Sequence, residues 1–165
     1  MTEMRVCQDL PWIKITSSQM PHATLESERP HEVSPPVSRE YFSQNSAYPF
    51  ADAVLVDNRT LYLSGRIGLL PGKSQVPATA EEEARLVLND VKNVLALAGM
   101  TMDHIVSLQV FCSDVSLWEP FNAIYRTYFA GPLPPRAFLG SGTLLFNARF
   151  ELMGIAIKDA DLPNF

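Results

Sequence analysis

Between Thr79 and Gly99 the chain carries a helix signature strong enough to dictate what must lie beside it. Thr79 followed three residues later by Glu82 is a capping box, in which hydroxyl and carboxylate satisfy the first free backbone N–H groups. Ala84, Val87, Leu88, Val91, Val94, Leu95 and Ala98 then recur on one face at the helical period. Gly99 supplies the stop. Glu83, Arg85, Asp90 and Lys92 read as the solvated side of the same helix. An apolar stripe of this length needs a partner layer, and the flanking segments offer strands, so the helix is expected to lie on a sheet.

The flanking strands are read from alternation and turn chemistry. Runs at 51–56 and 60–66 are β-rich and joined by Asp57-Asn58-Arg59, which predicts a hairpin. A strand is expected over 105–111, with Val106, Leu108 and Val110 on one face, broken by Ser113-Asp114. A second helix is expected over 118–130, with Pro120 in its first turn and Phe121, Ile124, Tyr125 and Tyr128 as its apolar face. Two last strands are expected over 137–145 and 148–158. The order β-β-α-β-α-β-β describes an α+β layer in which helices cover one face of a mixed sheet. The other face must be covered by something else, and a second subunit is the natural candidate.

Residues 1–40 differ in character: they hold five of the thirteen prolines and two of the three histidines. They read as an N-terminal extension, either loosely structured or wrapped around a neighbouring subunit, with a short strand or edge contact at 10–15. The folded domain is expected over 41–165. Asp9, Pro11 and Lys14 interrupt any apolar leader, and no apolar run approaches a membrane span, so a soluble cytoplasmic protein is expected. Cys7 and Cys112 match no metal or redox spacing, and the scattered histidines suggest no metal centre. The net charge of −5 and the absence of basic runs argue against nucleic acid as a partner, because phosphate binding rests on clustered Lys and Arg.

The chemistry is concentrated in residues 134–157. Pro134-Pro135 fixes an extended approach to Arg136, whose planar donor fork suits a carboxylate. Glu151 sits between Phe150 and Leu152, where a carboxylate is costly unless it is paired or used. On these residues alone the plainer reading is a structural ion pair between the two, or a Glu151 facing solvent. Ser64 beside Gly65 reads as structural, Asn122 as a hydrogen-bonding helix residue, and Tyr125 as core or interface.

Pro134, Arg136, Glu151, Ile155 and Ala156 together resemble the C-terminal signature of the Rid (YjgF) family of imine and enamine deaminases. The resemblance extends over 49–157 through Pro49-Phe50-Ala51-Asp52-Ala53-Val54, Ser64-Gly65-Arg66-Ile67, Asn89-Asp90-Val91 and Phe121-Asn122-Ala123-Ile124-Tyr125. It implies a chorismate-mutase-like homotrimer with clefts between subunits. It also implies hydrolysis of 2-imino or enamino acids to 2-keto acids and ammonia, with no cofactor. Carried onto this chain, Arg136 would clamp the substrate carboxylate and Glu151 would position the attacking water. Backbone groups near Cys112 and Ser113 would bind the imine nitrogen. Phe50 stands where the family's cleft-lining Tyr is found, with Tyr48 two residues earlier as a substitute. Arg66 replaces the usual Gln and is expected to bring a cation near the cleft or the interface. Phe138 replaces a small residue and is expected to narrow the pocket. The alternative is a non-catalytic carboxylate-binding or regulatory trimer of the same fold; an RNA-cleaving role fits the acidic charge least.

Overall fold

The computed structural model describes residues 35–44 and 48–159. The short strand expected at 10–15 lies outside them. The elements run β1 (Arg39–Phe42), β2 (Ala53–Val56), β3 (Thr60–Ile67), α1 (Ala80–Leu97), β4 (Ile105–Cys112), α2 (Trp118–Tyr125), β5 (Arg136–Gly140) and β6 (Phe150–Ile157). One six-stranded sheet has the order β1-β2-β3-β6-β4-β5. Every pairing is antiparallel except β4 with β5, which α2 connects. The α+β layer expected from the sequence is therefore present, with one strand more.

Capping and patterning account for α1. Thr79 Oγ1 accepts from Glu82 N at 3.2 Å, and Gly99 adopts a φ of +69° just beyond the end. Val87, Leu88, Val91, Val94 and Leu95 are all at most 1% exposed against β3 and β6. Burying side chains of this size stabilises by about 1.5–3 kcal/mol each before entropy is counted. The β2–β3 hairpin turns through Asp57 and Asn58, both near φ +50°, with Arg59 N donating to Val56 O. This is the twist-matched turn that Asn tolerates well.

Five sequence expectations change. β1 begins at Arg39, inside the stretch assigned to the extension; it is short and mostly exposed, and only Phe42 turns toward the core. Glu83 is not solvated but fully buried. It lies one turn before Val87 on the apolar stripe. Its Oε1 accepts from Arg149 N (2.5 Å) and Phe150 N (3.0 Å), and its Oε2 accepts from Arg149 Nη1 (2.7 Å). Val106 is exposed, because the pairing of β4 with β6 shifts between Ile105 and Ser107 and breaks the alternation. The second helix is α only to Tyr125 and tightens to a 3-10 turn over Arg126–Tyr128, where Thr127 Oγ1 donates to Ile124 O at 2.7 Å. The strand expected over 137–145 stops at Gly140, since Gly142, Phe146 and Asn147 take left-handed backbone angles that no strand continues through.

Both helices occupy one face. Of the other face, Tyr62, Met153 and Leu139 are exposed, and Tyr62, Met153 and Ile155 line a shallow hollow with Ser107 and Gln109. None of the described residues covers it.

Candidate functional site

Arg136 opens β5, the edge strand, where Pro135 O accepts from Leu108 N at 3.2 Å and sets the parallel register. Leu108 is the register partner of Arg136 and is buried toward the helices, so Arg136 points to the same side. There α2 presents Trp118, Phe121, Asn122 and Tyr125, spaced as one helical face. The guanidinium carbon lies 4.3 Å from the ring centre of Tyr125, 4.8 Å from Trp118, 5.6 Å from Phe121 and 5.8 Å from Phe138. Trp118 and Phe138 meet edge to face at 5.0 Å. Four rings therefore stabilise the cation through their faces while stripping it of water.

Asn122 fixes the orientation: its Oδ1 accepts from Arg136 Nη2. Arg136 Nη1, Asn122 Nδ2 and the Tyr125 hydroxyl are buried with no hydrogen-bond partner among the described residues. Burial lowers the Arg136 pKa from its ordinary value, with Arg126 adding to the shift and Tyr125 opposing it. A guanidinium nonetheless stays protonated in any protein setting. Burial pushes the Tyr125 hydroxyl up, so it is a donor at neutral pH. No carboxylate among the described residues pairs with Arg136. The arrangement is an anchored, partly desolvated cation with donor capacity left over, which is what a carboxylate ligand requires.

Glu151 belongs to the opposite face. Phe150 and Leu152 on either side of it are fully buried under the helices, and alternation turns Glu151 away from them. Its register partners are Phe111 of β4 and Ile67 of β3. Its carboxylate rests on Gly65, where a Cβ would overlap Oε1. Only glycine permits that approach. β3 bulges here: Leu63 pairs with Gly154 and Arg66 with Leu152, leaving Ser64 and Gly65 opposite Met153. Ser64 is structural as expected, its Oγ donating to Ala51 O at 2.6 Å.

The remaining expected site residues are spread out. Phe138 joins the ring of aromatics around Arg136. Tyr48 and Phe50 stack on each other at 5.4 Å and are both exposed. The Cys112 thiol is buried and donates to Asp114 O at 3.0 Å; burial pushes its pKa up. Nearby backbone groups are already engaged, since Ser113 N donates to Arg149 O and Cys112 O accepts from Ser141 N. Arg66 brings no free cation, because its charge is spent on Asp52 and Asp90. The structure thus joins Arg136 with Phe138 and separates both from Glu151. Trp118, Asn122 and Tyr125 are the neighbours that sequence reading left out of the site, although their spacing on one helix face was visible. Among the described residues no three His, Cys, Asp or Glu side chains cluster as metal ligands.

Compared with known proteins, the chain matches the family model Endoribonuclease L-PSP over residues 43–158. The 2-iminobutanoate/2-iminopropanoate deaminase of Mus musculus is 38% identical over 111 residues, covering 67% of this chain and 82% of the mouse protein. The Homo sapiens protein of the same name is 35% identical over 111 residues, covering 67% and 80%. Among solved structures, yeast Mmf1 superposes with a TM-score of 0.64 at 30% identity, covering 76% of this chain and 98% of that one. The E. coli YjgF gene product gives 0.65 at 25% identity, covering 72% and 94%.

Proposed function

The chain belongs to the Rid/YjgF family, whose model is described as Endoribonuclease L-PSP, and on that footing we propose that it hydrolyses 2-imino acids to 2-keto acids and ammonia. The single observation that carries this reading is Arg136: anchored by Asn122, ringed by aromatics, and left with an unpartnered Nη1. Such a cation selects a small carboxylate and fixes the carbon next to it.

The chemistry balances with water alone. The water oxygen bonds to the imine carbon as a proton passes to the nitrogen, forming a carbinolamine. The hydroxyl proton then passes to the amine nitrogen, again through Glu151, as the C=O bond forms and the C–N bond breaks to release ammonia. Glu151 takes the proton from water and returns it to nitrogen, a general-base and then general-acid role. An imine carbon is already electrophilic, so a positioned carboxylate suffices and no covalent nucleophile is required.

Arg136 and Glu151 act on one substrate only if two copies meet. Within a chain the sheet lies between them. The site is completed where the β5 edge of one subunit, carrying Arg136, lies along the uncovered face of the next, carrying Glu151. A homotrimer with three such clefts supplies that contact and covers Tyr62 and Met153. The net charge of −5 speaks against an RNA substrate. One observation favours the alternative of carboxylate binding without turnover: Phe138 and Trp118 close edge to face beside the guanidinium.

Release of ammonia or keto acid from 2-iminobutanoate and 2-iminopropanoate, generated in situ by an amino-acid oxidase, tests the proposal. The wild type should accelerate release, and an Arg136→Ala variant of unchanged oligomeric state should not. Keto-acid binding without acceleration would select the non-catalytic alternative.

A further inference from the structure

The geometry points to Arg66 as a positioning residue for Glu151, acting through the Ser64–Gly65 bulge; this rests on the deaminase reading above. Arg66 does not touch Glu151. What touches Glu151 is Gly65, whose Cα lies against the Oε1 oxygen. A shift of the backbone there moves the floor on which the proposed base rests.

A bulge is where a strand loses its ladder hydrogen bonds, so Ser64 and Gly65 are the part of β3 least held by the sheet. Other bonds hold them instead. On the N-terminal side Ser64 N donates to Asp52 O at 3.0 Å, and Ser64 Oγ donates to Ala51 O. On the C-terminal side Arg66 forks: its Nε donates to Asp90 Oδ2 on α1 at 2.5 Å, and its Nη1 donates to Asp52 Oδ1. Asp52 is 3% exposed and its second oxygen accepts from Gln44 N. Arg66 therefore ties the bulge to α1 on one side and, through Asp52, to the segment leading into β2.

The charges make this tie specific. The Arg66 side chain is 12% exposed, and a buried guanidinium is costly without partners. Burial works against its charge, and Asp90 and Asp52 more than offset that, leaving its pKa above the ordinary value. A shorter neutral residue could not span both carboxylates, and Asp52 and Asp90 would then repel each other behind the bulge. Lys could satisfy one arm only, because it lacks the planar fork. Arg66 thus sets how firmly Gly65 holds Glu151, while Arg136, on another strand and on the opposite face from Glu151, continues to hold the carboxylate.

The test is steady-state kinetics on 2-iminobutanoate across pH for wild type, Arg66→Met, Arg66→Lys and Asp90→Asn, with thermal unfolding of each. Asp90→Asn weakens one arm at a partly exposed position, so it remains informative if Arg66→Met does not fold. For Arg66→Met the expected result is a kcat about tenfold lower with KM within about twofold, since only part of a general base's contribution is lost. Its acid limb in the kcat profile should shift, Arg66→Lys should recover part of the loss, and Asp90→Asn should fall between. Variants that melt earlier yet keep wild-type kcat and pH profile would overturn the inference and leave Arg66 a structural tie. A wild type that accelerates nothing would overturn the deaminase reading itself, a result plainly different from the first.

Discussion

Asn122 Oδ1, rather than a carboxylate, accepts the hydrogen bond from Arg136 Nη2. The difference decides what the guanidinium can still do. A neutral acceptor orients the cation without neutralising it, and leaves Nη1 with unspent donor capacity. An acid at the same position would orient it equally well and consume its charge.

Asn122→Asp is therefore predicted to weaken the substrate clamp without unfolding the protein. The new carboxylate would pair with Arg136 inside the aromatic ring and compete with the substrate's own. Losing a charge-assisted contact costs about 2 kcal/mol, or roughly 30-fold in KM. Steady-state KM with thermal melting checks this; an unchanged KM would show that the substrate does not depend on the free charge of Arg136.

Tyr125→Phe is predicted to stabilise the ligand-free protein. The hydroxyl is buried on a 2% exposed side chain and has no partner among the described residues. Removing a buried, unpaired polar group relieves a desolvation cost of about 1 kcal/mol. For a domain of this size that corresponds to about 2–4 °C in Tm. A clear fall in Tm would mean that the hydroxyl has a partner.

How much of this was legible in the sequence varied with how local the cause was. Thr79, Glu82 and Gly99 announced α1, and Asp57-Asn58 announced the hairpin, because caps and turns are decided by adjacent residues. β1 was not legible: Arg-Glu-Tyr-Phe has no apolar alternation, and it becomes a strand only by pairing with β2. Glu83 misled because its ligands, Arg149 N and Phe150 N, lie far along the chain. In the site, Pro134-Pro135 drew attention to Arg136, which the structure sets against four aromatic rings. Its side of the sheet depends on the register of β5 against β4, a long-range fact that no local pattern encodes. The same limit hid the distance between Arg136 and Glu151.

Cys112 is predicted to resist alkylation in the folded protein. The reactive species is the thiolate, and burial raises the pKa of Cys112, so less thiolate exists at any given pH than for a free cysteine. Reactivity should therefore rise only at higher pH than the ordinary thiol value. In a Cys7→Ser background, iodoacetamide labelling at pH 8 should be roughly a hundredfold slower in buffer than in urea. Comparable rates would place the thiol at an accessible surface.

The placement of Arg136 and Glu151 on opposite faces makes the strongest prediction, because it specifies how two dead variants should behave together. Arg136→Ala and Glu151→Gln should each lose about a hundredfold or more in kcat/KM, the scale of a lost clamp or general base. If one site draws Arg136 from one copy and Glu151 from its neighbour, a mixed oligomer contains some clefts in which both contributed residues are wild type. Random assembly of equal amounts into a cyclic trimer leaves about one cleft in four intact, so mixing after dissociation should restore about a quarter of wild-type activity. A site confined to one chain would restore none, since every chain in the mixture lacks one of the two residues. Activity measured before and after co-refolding, with oligomer size checked by light scattering, separates the outcomes. Recovery would show that each subunit's uncovered sheet face is half of a catalytic site. Absence of recovery in properly mixed oligomers would require Arg136 to leave the Trp118–Tyr125 ring and round the β5 edge within its own subunit.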